Sequence, residues 1–261
     1  MLALEQIEQQ YPAALRPFKR GLLREYLQYK ILEIISVSEY AGKLSFLGDT
    51  ALRILYGNTR VSEDLDFDNF QLDEEEFDSL AEKVRAGLEA QGLKTEVTPA
   101  AKGSYRCRVR LPDILFVNEF SPHQEEKILI QIDSVAHKFA YRPDKKILNK
   151  FDVFSEVFVT PADILLSQKI YAAMNRKRAK GRDFFDIVFL FSFTKPNHGY
   201  LQAKLGIKDA RALRKKILEA IKGLNFKELG EDVRPFLLNA GDSRKVELFP
   251  EFIAQAPLEG Y

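Results

Sequence analysis

The feature that most constrains this chain is the run LDFDNF at positions 65–70, with Asp64 just before it. Apolar and acidic residues alternate through it, and a period of two belongs to a β-strand whose successive side chains point to opposite faces. The pattern predicts a strand with Leu65 and Phe67 on one face and Asp64, Asp66 and Asp68 on the other. A carboxylate row results. It reads equally as a set of hard oxygen ligands for a metal or as an exposed acidic strand edge.

Around that strand the sequence predicts helices and further strands. The first forty residues carry Leu22, Leu23, Tyr26, Leu27, Tyr29 and Ile31 at helical intervals, suited to covering a sheet. KLSFLG, at 43–48, reads as a buried strand closed by a glycine turn, and TALRILYG as a short helix. Asp73 is a good N-cap for a helix bearing Phe77, Leu80, Val84 and Leu88, with Gly92 as its stop. Three strand-like runs follow, LKTEV, SYRCRVRL and EKILIQIDS, and the sheet is expected to end near Ser134. In TPAD, Thr160 is expected to cap a helix through Lys169, with Pro161 at its first position and Asp163 in its first turn. A second helix is expected to start near Arg182, and further helices to continue to Tyr261. The fold class is therefore α+β, a mixed sheet flanked by helices with a helical C-terminal part. The division falls between 140 and 160, giving an α/β domain over 1–150 that includes the N-terminal helices, and a helical domain over 151–261.

With 46% hydrophobic and 30% charged residues in 261, the chain can bury a substantial core as one large domain or two modest ones. Its start, MLALEQIEQQYPAALRPFKR, is interrupted by charges and a proline, which fits neither a signal peptide nor a membrane span, so a cytoplasmic location is expected. Cys107 is a lone cysteine and the three histidines lack ligand spacing, so no disulfide and no zinc site is expected. The net charge of +1 hides local clusters: basic residues in NRKRAKGR at 175–182 and at Arg106, Arg108 and Arg110, and acids between 63 and 76. Such clusters suit a metal site beside a polyanion groove, and each basic cluster alone reads equally as a solvated face.

Three distant pieces can be combined into one site. FLGDTALRILYG ends a strand in a glycine turn that opens a helix, where backbone N–H groups at Gly48 could hold phosphate oxygens; such turns are also common architecture. Asp64 and Asp66, joined by Asp133 after the apolar run ILIQI, could hold two Mg²⁺ ions about 3.5–4 Å apart. LLSQKIYAAMNRKRAKGRDFFD places Lys169 on a mostly apolar helix as a point charge for a triphosphate. Asp183 and Asp186, three apart, could orient Lys169 or Arg182. The plainer account has Lys169 snorkelling and Arg182 pairing with Asp186.

Together these pieces, over about 46–186, resemble the nucleotidyltransferase AbiEii/AbiGii toxin family of the DNA polymerase β-like nucleotidyltransferase superfamily. That family shows a glycine pair, Thr-Ala-Leu, an Arg-x-Ser-x-Asp-x-Asp run, and later a Lys with a downstream Arg-Asp-x-x-Asp. The resemblance implies a nucleotidyltransferase fold in which Asp64 and Asp66 bind Mg²⁺ or Mn²⁺, and Asp133 joins them as the third ligand on the reading of the ILIQI strand end. It implies a nucleotide site built from Gly48, Asp49, Thr50, Arg60, Ser62, Lys169, Arg182, Asp183 and Asp186, with Arg60 helping to hold phosphates and Asp64, Asp66, Asp133 and Lys169 catalytic. The implied activity is transfer of a nucleotide from a nucleoside triphosphate to RNA, tRNA in particular. It would serve as the toxin of a type IV toxin–antitoxin system, countered by an antitoxin, with 176–182 as the RNA-backbone contact. One departure stands out: Asp49 occupies the place of the second glycine. It favours a second reading, a catalytically silent fold that binds nucleotide or protein. A third keeps the chemistry with a protein hydroxyl or a small molecule as acceptor.

Overall fold

Strand β2 (Leu65–Asn69) lies near the middle of a mixed sheet, between β1 (Leu44–Leu47), antiparallel to it, and β5 (Ile128–Ala136), parallel to it. The computed structural model describes residues 1–99, 105–136 and 139–259. Among them the sheet has seven strands in the order β3-β4-β5-β2-β1-β7-β6. Here β3 is Glu96–Pro99, β4 Arg106–Leu111, β6 Asp144–Lys150 and β7 Val153–Val159. Ser104, expected to open the second strand run, lies outside the described residues, as do Gly260 and Tyr261 at the chain's end.

The sheet does not end near Ser134. The hairpin β6–β7 adds two strands, and β7 runs parallel to β1, with Phe46 opposite Val159. The reason for the difference is exposure. β6, DKKILNK, is an edge strand with most of its side chains in solvent, so it carries no apolar alternation, and its lysines discourage pairing with another edge.

The described chain divides into two compact units, one of Met1–Ala51 with Ser62–Val159 and one of Leu52–Val61 with Thr160–Tyr261. The first holds the whole sheet. Helices α1 (Leu4–Gln9), α2 (Lys19–Ser36) and α4 (Glu74–Ala90) also belong to it, as does the short α5 (Ile114–Val117). Its core joins Leu23, Tyr26, Leu27 and Ile31 of α2 and Val84 and Leu88 of α4 to Phe46, Leu65, Val109, Ile130 and Val159 of the sheet, all fully or almost fully buried. α4 is capped as its sequence predicts. The Asp73 carboxylate accepts from Glu76 N at 2.9 Å and Glu76 Oε2 accepts from Asp73 N at 3.1 Å, a reciprocal cap worth about 1 kcal/mol.

Helix α3 (Gly48–Tyr56) begins in the first unit and its later turns are counted with the second. The rest of the second unit is helical: α6 (Ala162–Asn175), α7 (Gly181–Leu190), α8 (His198–Leu205), α9 (Ala210–Ala220), α10 (Phe226–Val233), α11 (Arg244–Glu247) and α12 (Phe249–Gln255). Phe184 anchors its core, with ring centroids 5.1 Å from Phe226 and 4.8 Å from Phe249. Thr160 is not the cap of α6. The extended residue before the helix is Pro161, no side chain caps it, and Thr160 is fully buried instead. No helix of the described chain is long and apolar enough to cross a membrane.

Candidate functional site

In the first unit the Gly48 turn and the Asp66 carboxylate are built against each other. Gly48 has φ +78°, a left-handed conformation that glycine adopts without penalty, and a Cβ placed on it would stand 2.5 Å from Asp66 Oδ2 and 3.1 Å from Asp66 Cβ. Glycine is therefore required twice over, once by the backbone and once by the carboxylate packed on it. The β1–β2 register sets this up by pairing Leu47 with Asp66. The backbone N–H groups opening α3 are thereby brought beside an acidic side chain.

Asp64 precedes β2 and is exposed, while Asp66 within the strand is half-buried. The segment that delivers them is pinned from below. Thr50 Oγ1, fully buried, lies 2.7 Å from Ser62 Oγ and also hydrogen-bonds the Asp64 carbonyl. Gln28 Nε2 of α2 donates to the carbonyls of Ser62 at 3.1 Å and Glu63 at 3.0 Å. Thr50 and Ser62 thus hold the loop that presents Asp64. Gln28 carried no sequence signal, because a glutamine inside an apolar helix reveals its partner only once the chain is folded.

The third expected carboxylate sits in the same row. Register places Leu47, Asp66, Asp133 and Arg106 side by side across β1, β2, β5 and β4. Asp133 is already bound, however: Oδ1 is ion-paired with Arg106 Nε, and Oδ2 accepts from Gln131 Nε2 at 2.9 Å. The Arg106 guanidinium is held more firmly protonated, first by its hydrogen bond to Asp133 and that carboxylate's charge, then by the charges of Asp64 and Asp66. Asp68, the last acid of the β2 row, is buried and accepts from Tyr141 Oη at 2.6 Å. Among the described residues, no group of three or more His, Cys, Asp or Glu side chains is disposed to hold a metal ion. Asp49 lies half-buried in the first turn of α3, where the helix dipole favours an acid.

The second unit gathers the remaining charged candidates into a buried cluster. Asp186, fully buried on α7, receives Arg60 bidentately, Nε to Oδ1 at 2.7 Å and Nη2 to Oδ2 at 2.6 Å. Asn58 Nδ2 adds a bond at 2.9 Å, and Lys169 Nζ stands 2.7 Å from Oδ2. Asp183, 2% exposed, is 3.9 Å from Lys169 and 3.2 Å from Arg176 Nε. The plainer sequence account gave Asp186 to Arg182; the cation that grips it with both arms is Arg60, itself 2% exposed and 126 residues away. A guanidinium in that position is a bracket for Asp186. Arg182 is half-buried in the first turn of α7, and the basic stretch 176–178 is exposed between α6 and α7. Sequence reasoning did not find Asn58, whose partner is equally remote.

Residues 30–251 match the family model for the nucleotidyl transferase AbiEii toxin of type IV toxin–antitoxin systems. No curated protein matches the chain. Among solved structures, MenT4, a nucleotidyltransferase toxin from Mycobacterium tuberculosis, superposes with a TM-score of 0.57 at 17% identity over 98% of this chain and 90% of its own. JHP933 from Helicobacter pylori superposes at 0.54 with 15% identity over 90% of this chain and 91% of its own. At such identities these likenesses establish a shared fold.

Proposed function

The chain belongs to the nucleotidyl transferase AbiEii toxin family, and from that membership we propose that it transfers a nucleotide from a nucleoside triphosphate to an RNA acceptor, tRNA being the leading candidate. The observation that supports this most strongly is the Gly48–Asp66 contact, where an anion-binding helix start and a metal-type carboxylate share one corner of the fold. The triphosphate docks on the Gly48 turn. Hard, partly exposed oxygens on Asp64 and Asp66 fit Mg²⁺ or Mn²⁺, which is commonly held by one or two carboxylates together with substrate phosphates. When bound there, the metal would lower the pKa of the acceptor hydroxyl and stabilise the pyrophosphate that leaves.

The chain's own groups do the rest by position and charge. Thr50, Ser62 and Gln28 fix the loop before Asp64. Asp133 orients Arg106 in the same row. In the second unit Lys169 is held by Asp183 and Asp186, and an antitoxin protein is the expected partner of the chain. Purified protein incubated with labelled triphosphates, Mg²⁺ and total RNA should label RNA, and Asp64→Ala should abolish the label. Asp49 at the helix start favours one competing reading, a silent nucleotide-binding module. That module would bind triphosphate without transfer. Label on protein or on a soluble product would keep the chemistry and change the acceptor.

A further inference from the structure

Strand β4 alternates Arg106, Arg108 and Arg110 with Cys107, Val109 and Leu111, and the latter three are 2%, 0% and 0% exposed. The arginines therefore all occupy the opposite face. Register identifies it: Arg106 stands opposite Asp133, Arg108 opposite Gln131 and Arg110 opposite Leu129 on β5, whose Asp133 stands opposite Asp66 on β2. Three arginine positions thus form a file on the sheet face that bears the carboxylates.

Their engagement falls off along the strand. Arg106 is tied to Asp133. Arg110 Nη1 donates to the neutral Thr98 hydroxyl at 2.7 Å, while Glu96, opposite Arg110 on β3, is ion-paired at 2.8 Å with Lys127. Arg108 has no ion pair or side-chain hydrogen bond among the described residues, and both Arg108 and Arg110 are partly open to solvent. The face stays accessible along β5, with Leu129 41% and Val135 67% exposed. Uncompensated guanidinium groups on an open face, in a chain of net charge only +1, complement a polyanion. Alternate residues on a strand lie about 6.6 Å apart, so the file spans about 13 Å, a repeat suited to successive phosphates of an extended single strand.

We infer that Arg108 and Arg110 form a phosphate track for the acceptor, so that a single-stranded RNA end lies along β4 with its reacting hydroxyl toward Asp64 and Asp66. This rests on the transferase reading given above. Contacts of this kind bind without regard to sequence and set the register of the strand. The competing basic surface is 176–182, whose Arg176 already faces Asp183 at 3.2 Å.

The test measures binding of a labelled single-stranded oligoribonucleotide to the full chain over a range of NaCl concentrations. It compares wild type, the double variant Arg108→Gln with Arg110→Gln, and the double variant Lys177→Gln with Arg178→Gln. The β4 variant should bind roughly 10-fold or more weakly at low salt, with a log–log salt slope shallower by about 1.4, since each lost single-strand phosphate contact removes about 0.7. Its melting and its triphosphate binding should match wild type, and the 176–182 variant should bind RNA as wild type does. Unchanged affinity and slope in the β4 variant overturn the track, as does equal affinity of wild type for a blunt duplex. Wild type that binds no oligonucleotide overturns it too. Nucleotide transfer by wild type, assayed separately, shows whether the transferase reading has fallen with it. Should the double variant melt early, Arg108→Glu alone carries the same comparison.

Discussion

The two units use the same residue types in opposite ways. In the first, Asp64 is exposed and Asp66 half-buried at the lip of the Gly48 turn; in the second, Asp183 and Asp186 are 2% and 0% exposed and closed in by Arg60, Asn58, Lys169 and Arg176. An acid at a surface keeps its hydration and can meet a ligand, whereas a buried one must be compensated internally. An Asp-x-Asp on a strand and an Asp-x-x-Asp on a helix look alike as acidic motifs, yet the first is presented outward and the second holds its own unit together. The sharpest attempt to break this contrast is Asp186→Ala. It removes the carboxylate that receives Arg60 bidentately in the core, and removing one partner of a buried pair costs about 3–5 kcal/mol. Urea or thermal unfolding should show that loss, and a variant that melts like wild type would erase the distinction.

Asp64→Ala sharpens the contrast from the other side. Loss of a preorganised electrostatic group at a reacting centre lowers turnover by about 100- to 1000-fold, and an exposed side chain contributes within about 0.5 kcal/mol to stability. Transfer should therefore collapse while the melting curve stays in place. If the protein unfolds as readily as Asp186→Ala, the carboxylate is structural after all. Gly48→Ala should do some of both. Forcing a Cβ into a left-handed position costs about 1–2 kcal/mol, and the new methyl must push the Asp66 carboxylate aside. A modest drop in unfolding free energy with a larger drop in transfer is expected, and an active, unshifted variant would mean that the Gly48–Asp66 contact does not matter.

Much of the first unit was legible because its signals are local. The alternation in 65–70, the Asp73 cap and the glycine turn each lie within a few residues of what they determine. β6 was illegible for the complementary reason: a solvated edge strand has no buried face to leave an apolar imprint. Thr160 misled because a threonine before a proline has the composition of a cap, while the backbone set by Pro161 moves the helix start one residue on. Within the site, Gly48, Asp64, Asp66 and Asp133 were all marked by sequence pattern, but what each touches was not. Arg60 meets Asp186 across 126 residues, and Arg106 meets Asp133 across 27. Pairings of that kind depend on strand order and helix packing, and a single sequence does not encode them at short range.

The smallest expected effect tests the same contrast within one strand, where Arg106 is exposed and its neighbour Cys107 is 2% exposed. Burial, helped by the charges of Asp133 and Asp78, pushes the Cys107 thiol from 9.0 up to about 12. The folded protein therefore keeps this thiol neutral at pH values where the unfolded chain ionises it. The stability that follows is complete below about pH 9 and is lost as pH rises toward 12, about 1 kcal/mol of it by pH 10. Tyr26, raised from 10.0 to about 12 chiefly by burial, acts in the same direction at somewhat higher pH, so wild type alone does not isolate the cysteine. Cys107→Ala does: it removes one titration and leaves the other. Urea midpoints from pH 8 to 10.5 should fall less steeply in that variant than in wild type, whatever offset its smaller side chain introduces. Parallel slopes, or rapid alkylation of the native thiol at pH 8, would show that the inner face of β4 is as open as the outer one.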